Sequence, residues 1–343
     1  MHENTHNYQK PIPVRTHWTV WICRNQVFAF FVLTFVFSWS IYLVAGLSEF
    51  SNQTVLSRVL LIAAFGPSLS AILISTVNSS QSATPMSGKR IVLFLLIFVF
   101  GAAIEWLDHI LWRHQIDAHL IITDAILITL AAVVISSLYS NRQGVRDMIT
   151  PITHWRVGII WYFIALGLWP LIILAGNAMA QSLNMTISSS PPWPNRPILF
   201  VIAESFLWYF LFGGPLNEEP GWRGFAMPRL QRQFSPLVTS VILGALWGLW
   251  HVPLHLLGVY YGGAWGAIIR IQEIPRTILF TWIYNRTKGS LLIALLFHTA
   301  INTTSLFLPR SFSIVLVICT LIAAIVVIAE KMWKYPQALR FTK

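Results

Sequence analysis

Charged side chains are scarce in this sequence: they make up 10% of its 343 residues, against about a quarter in a soluble globular domain. That shortage excludes an ordinary water-facing surface. Cysteine is nearly absent, with Cys23 and Cys319 close to opposite ends of the chain, so neither a disulfide framework nor a thiolate metal site can be proposed. The first 26 residues are polar and basic and hold no early apolar run with a small-residue cleavage site, so no removable signal peptide is expected. Internal repeats and a second domain are also lacking.

What the sequence has instead is hydrophobic bulk, at 56% of residues, with 16 Trp and 22 Phe. Many of these rings fall at the ends of apolar runs, where they favour a membrane interface. The composition predicts an integral membrane protein. A net charge of +11 would suit nucleic acid only if Lys and Arg shared one water-facing patch. They are spread between apolar runs, so the lipid bilayer is the expected partner and nucleic acid is not.

Crossing a hydrocarbon core of about 30 Å takes roughly 20 helical residues. Runs of that kind fall near 27–48, 59–77, 91–113, 119–139, 158–176, 236–256, 290–307 and 312–330. Two less regular ones lie near 198–233, interrupted by Gly213, Gly214 and Pro215, and near 270–285, which carries Arg270, Glu273 and Arg276. The expected fold is all-α, a polytopic transmembrane helix bundle of about eight to ten spans with one kinked, motif-bearing helix. When sides are alternated from the N-terminus, 17 of the 23 Lys and Arg collect on the side of the two tails. That predicts cytoplasmic termini. Ser188 to Pro194 reads as an outer-side loop, and Glu105, Asp108, His109 and Asp124, near outer span ends, read as interfacial.

Ionisable groups at membrane depth need a partner or a task, and the densest cluster lies between 217 and 302. Glu218, Glu219 and Arg223 form EExxxR; Trp247 and His251 form an aromatic-xxxH pair, with His255 four residues on; His298 and Asn302 form HxxxN. At about 1.5 Å of rise per residue, Glu218 lies roughly 21 Å from the basic end at Arg232 and His251 roughly 24 Å from Ser235. From Ser290, His298 lies roughly 12 Å in and Asn302 roughly 18 Å. Three separate segments thus deliver polar groups to one mid-bilayer layer. Glu219 and Arg223, spaced i, i+4, face one another as a supporting pair. Glu218 projects about 100° away and is free to act as a general base on water. His251 can hold the same water, and His298 with Asn302 makes an oxyanion hole for a peptide carbonyl. If Asn217 caps a helix restarting after the break, Pro220 falls in its first turn and costs little; if the helix is instead continuous, the direction of Glu218 is not fixed by this spacing.

EExxxR, aromatic-xxxH and HxxxN, in this order over Phe210 to Phe307, resemble the three motifs of the CAAX prenyl endopeptidase and bacteriocin-processing (CPBP, or Abi) family. The resemblance implies an all-helical intramembrane endopeptidase in which Glu218 and His251 activate water and His298 and Asn302 stabilise the oxyanion. It implies a membrane-protein or lipidated-peptide substrate and no metal. Many members have aliphatic and aromatic residues between the second Glu and the Arg, where this chain has Pro220, Gly221 and Trp222. The chain then divides into a cytoplasmic tail (1–26), N-terminal transmembrane helices (27–197), a catalytic core (198–307) and a last helix with a basic tail (308–343) in a bacterial plasma membrane. No cofactor is expected. A zinc variant on Glu218, His251 and His298 is the second enzyme reading, without an HExxH among these residues. Outside enzymes, buried acids and histidines would also suit a proton-coupled transporter, and a non-catalytic immunity or scaffold protein is a further alternative.

Overall fold

The structure is a computed structural model and describes residues 16–48, 53–79, 87–113, 118–187, 196–260 and 262–334. The start and end of the two tails and the Ser188–Pro194 stretch of the polar connection lie outside the described residues. Among those described, every regular element is helical. The N-terminal half holds α1 (His17–Arg24), α2 (Gln26–Leu47), α3 (Gln53–Ala64), α4 (Gly66–Asn78), α5 (Gly88–Asp108), α6 (Ala118–Ser136), α7 (Gln143–Ile149) and α8 (Ile160–Ser182). Next come α9 (Ile198–Leu211), α10 (Pro215–Glu219), a π-helical stretch (Pro220–Ala226) and α11 (Met227–Leu230). They are followed by α12 (Pro236–Trp250), α13 (Val252–Leu256), α14 (Gly263–Ile269), α15 (Glu273–Arg286), α16 (Leu291–Phe307) and α17 (Phe312–Ala329).

Among the described residues, eight helical stretches are long and apolar enough to cross a bilayer, so the chain is a multi-pass membrane protein. Helices α3 and α4 act as one stretch of 26 residues, and α9 to α11 as one of 33 residues. The run near 270–285 resolves into a short 3-10 turn, Arg270–Gln272, and α15 of 14 residues. Alone, α15 is too short to span, and it is wedged against α12, α16 and α17.

Two features hold the core in register. Helix α4 packs directly on the π-helical stretch, where a Cβ on Gly221 would meet the Pro67 carbonyl oxygen at 2.5 Å. On the far side of that contact, Trp222 stands edge-on to Phe30 and Trp250 at 5.4 and 6.0 Å between ring centroids. Helix α15 approaches α12 as closely: a Cβ on Gly244 would lie 2.8 Å from the Glu273 carbonyl oxygen, and one on Gly248 2.6 Å from that of Arg270. Small residues one turn apart let the two backbones touch.

The acids read as interfacial are in fact buried, because Arg58 is inside with them. Its guanidinium, fully buried, reaches Glu105 at 2.6 Å, Asp108 at 2.9 Å and Asp124 at 2.7 Å, while His109 Nε2 lies 2.8 Å from Asp124. The Trp208 indole donates to the other Glu105 oxygen at 3.2 Å. This network ties α3, α5, α6 and α9 together. Sequence spacing could not reveal it, since its members come from four helices.

Candidate active site

The site begins at the break between α9 and α10. Gly214 has φ +122°, a region open essentially to glycine, and Pro215 opens α10, where its missing N–H costs nothing. Asn217 is not the cap: its carboxamide donates back to the Phe212 carbonyl at 2.8 Å, closing the end of α9. Pro220 cannot donate to the carbonyl four residues earlier. That carbonyl, on Leu216, accepts instead from Ser68 Oγ at 3.0 Å. The helix then widens into a π-helical turn, the form that often accompanies functional sites.

The two adjacent glutamates separate as their spacing predicts. Arg223 Nη1 donates to Glu219 at 3.0 Å, and the guanidinium lies over the rings of Trp247 and Phe280, 4.6 and 3.9 Å from their centroids. Glu219 also takes a second partner. His298 Nδ1 lies 2.6 Å from its Oε1, so the acid read as merely paired also fixes the direction of the histidine. Glu218, 5% exposed, turns elsewhere, and its Oε2 accepts from Trp247 Nε1 at 2.6 Å.

The free oxygen of Glu218 faces the other candidates across Gly214. A Cβ on Gly214 would lie 3.1 Å from Glu218 Oε1, 3.2 Å from Asn302 Nδ2 and 3.6 Å from His298 Nε2. Three polar atoms from α10 and α16 therefore surround one small space, which the absent side chain leaves open. Asn302 spends one N–H on the Gly213 carbonyl at 2.8 Å and keeps the second.

His251 stands next to this group, with Trp247 between. Its Nδ1 lies 2.8 Å from the Trp247 carbonyl oxygen, which can only accept, so the hydrogen is on Nδ1 and the neutral ring keeps its Nε2 lone pair. The Trp247 ring lies 5.8 Å from the His251 ring and 5.6 Å from the His298 ring, so it separates the two imidazoles. His255 Nε2 accepts from Arg270 Nε at 2.8 Å. Sequence reasoning missed the Trp247 hydrogen bond, although the signal was present: of the aromatic residues that fill such a position, only Trp brings a buried N–H.

As a metal set, the core residues are loose. Among the described residues, the His, Asp and Glu group whose ligand atoms all lie within 4.8 Å of one another is Glu105, His109 and Asp124. Glu218, His251 and His298 do not form such a group. An HExxH spacing does occur at His2 to His6, outside the described residues.

Residues 200–304 match the family described as type II CAAX prenyl endopeptidase Rce1-like. The matched segment contains Glu218, Glu219, Arg223, His251, His298 and Asn302. Within this region the chain is also 33% identical over 92 residues to CAAX prenyl protease 2 of Methanococcus maripaludis. That alignment covers 25% of this chain and 34% of the relative, so the chain spans about a third of the length of the curated relative it matches. The helices before the matched segment carry Arg58 and its three acids and supply Ser68 and Pro67 to the π-helical turn.

Proposed function

We propose that this chain is an intramembrane endopeptidase that hydrolyses a peptide bond of a membrane-associated substrate. A water between Glu218 Oε1 and the peptide carbonyl gives its proton to Glu218 as it attacks, and Glu218 returns that proton to the peptide nitrogen as the C–N bond breaks and the amine leaves. The second Asn302 N–H and His298 receive the developing oxyanion. His298 can donate through Nε2 only while its ring is doubly protonated, since Nδ1 already holds the hydrogen shared with Glu219. His251, with Nε2 free, holds the water from its other side. Glu219 and Arg223 position His298 and close the site. A substrate with a lipidated C-terminal segment fits both the depth of the site and the similarity to the CAAX prenyl protease of Methanococcus maripaludis. A plasma-membrane location with cytoplasmic termini follows from the distribution of Lys and Arg.

The observation that carries this reading is the convergence of Glu218 Oε1, Asn302 Nδ2 and His298 Nε2 within 3.6 Å of one point. A transporter relay gives no reason for a carboxamide to stand there, and a scaffold gives no reason for the free carboxylate oxygen. The test compares membrane-protein termini in cells carrying the intact protein and Glu218→Ala. New termini that disappear in the variant support the proposal, and identical termini reject it.

A zinc-dependent variant has one feature in its favour: both histidines anchor Nδ1 on an oxygen and leave Nε2 free, as metal-bound histidines do. Glu218, His251 and His298 would be its ligands. We place it second because their ligand atoms are not gathered within 4.8 Å. Cleavage that survives exhaustive chelation would dismiss it.

A further inference from the structure

At one end of the bundle α2, α11, α12 and α17 meet. Arg229 Nε donates to Gln26 Oε1 at 3.0 Å, and the Leu237 N–H donates to the Met332 carbonyl at 2.9 Å. Trp18, Trp21 and Trp333 are exposed there, as aromatic rings are at a headgroup layer. Arg229 is half-buried and held by neutral groups. Besides its bond to Gln26, its Nη1 donates to the Phe225 carbonyl at 2.9 Å, and its guanidinium lies over the Phe225 ring at 3.7 Å. Its Nη2 has no partner among the described residues and is not buried. Arg24, two residues before Gln26, is exposed, and so is Arg232, which lies within electrostatic reach of Arg229. Among the described residues no carboxylate pairs with these three arginines. Glu330, at the end of α17, is taken by Arg286 and Trp282.

A guanidinium stacked on a ring and fixed by two neutral acceptors is already oriented, and it binds phosphate through paired N–H groups. At headgroup depth the anion present in bulk is a lipid phosphate, which basic side chains at the surface attract. Arg229 also touches the framework of the candidate site. Phe225 lies near the end of the π-helical stretch Pro220–Ala226 and packs on Phe30 at 5.2 Å between ring centroids. Arg223, two residues earlier, donates to Glu219, which orients His298. The bond from Arg229 to the Phe225 carbonyl forms only with this turn wound, so an anion that fixes Arg229 favours the wound form.

We propose that Arg229, with Arg24 and Arg232 beside it, seats the phosphate of an anionic phospholipid, and that the seated lipid steadies the π-helical turn and raises turnover. The seat stands on its own geometry, whereas its effect on turnover rests on the endopeptidase reading. Arg229 supplies the fixed donor, and the two exposed arginines add attraction for a headgroup that carries net negative charge. A zwitterionic headgroup brings its own cation to the same place and gains less.

The test measures lipid retention by native mass spectrometry on the full-length protein, titrated with phosphatidylglycerol or phosphatidylcholine. Wild type is expected to hold phosphatidylglycerol more tightly by about fivefold or more, the scale of one basic side chain at an anionic surface. Arg229→Gln should bring the ratio close to one, and Arg229→Lys should keep part of it. Arg90→Gln, at the start of α5, should leave the ratio as in wild type. Because each ratio is taken within one preparation, partial misfolding does not change it. Equal retention of the two lipids by wild type, an unchanged ratio in Arg229→Gln, or the same loss in Arg90→Gln overturns the seat. Inorganic phosphate that displaces the lipid at millimolar concentration also overturns it, since the site would then take a free anion. In nanodiscs, phosphatidylglycerol should raise kcat several-fold for wild type and not for Arg229→Gln. A seated lipid with unchanged kcat overturns the coupling. Absence of cleavage in either lipid counts against the endopeptidase reading, and the retention ratio still decides the seat.

Discussion

Trp247 Nε1 donates to Glu218 Oε2 at 2.6 Å, so one oxygen of the carboxylate is occupied and the other is turned toward Gly214. The same indole lies against Arg223, His251 and His298. Trp247 is therefore the side chain on which the motifs meet. Trp247→Phe keeps the ring and removes the N–H. Its kcat should fall by about 10- to 100-fold, the value of a hydrogen bond to a charged group, with KM little changed. A kcat within twofold of wild type would show that Glu218 holds its direction unaided.

The two glutamates should respond differently to the same substitution. Glu218→Gln removes the base and should abolish cleavage while leaving the detergent-solubilised melting temperature near wild type. Glu219→Gln strips the fully buried Arg223 of its carboxylate and loosens His298. It should cost about 3–5 kcal/mol of stability, the scale for breaking a buried pair, in addition to activity. Equal stability of the two variants would contradict the division of roles.

Gly214→Ala tests whether the space at the break is used. The backbone strain at φ +122° costs about 1–3 kcal/mol, and the new methyl group would occupy the point that Glu218, Asn302 and His298 face. Cleavage should drop by about 100-fold or more in protein that still elutes as wild type on size exclusion. Near-normal turnover would place the reacting water elsewhere.

The Arg58 network makes a prediction about stability alone. Arg58→Leu leaves Glu105, Asp108 and Asp124 together without their guanidinium, at about 3–5 kcal/mol. Thermal unfolding should move down clearly, while kcat per folded molecule stays as in wild type. A kcat loss without a stability loss would mean that this network reaches the site.

Much of the fold was legible because lipid imposes one rule on every span, an apolar length, and the runs at 27–48, 119–139, 236–256 and 312–330 obey it. The run at 270–285 was harder, since α15 is short and carries charges that neighbouring helices satisfy. Glu219 with Arg223 was readable because i, i+4 geometry is local. The Arg58 network, the Ser68 hydrogen bond to Leu216 and the link from His298 to Glu219 join residues far apart in sequence, where no periodicity points from one to the other. Whether Asn217 caps the restarted helix stayed open in the sequence because its short polar side chain suits either direction, and only the position of Phe212 decides between them. Trp247 was read as the aromatic of an aromatic-xxxH pair, and its N–H was overlooked.

The central claim, that Glu218 directs water onto a peptide bond within the membrane, is tested most directly in proteoliposomes made in oxygen-18 water. Mass spectrometry of the products should show one heavy oxygen in the newly formed carboxylate with wild type and no cleavage with Glu218→Gln. Cleavage at wild-type rate by Glu218→Gln, or a product without the solvent oxygen, would contradict the account.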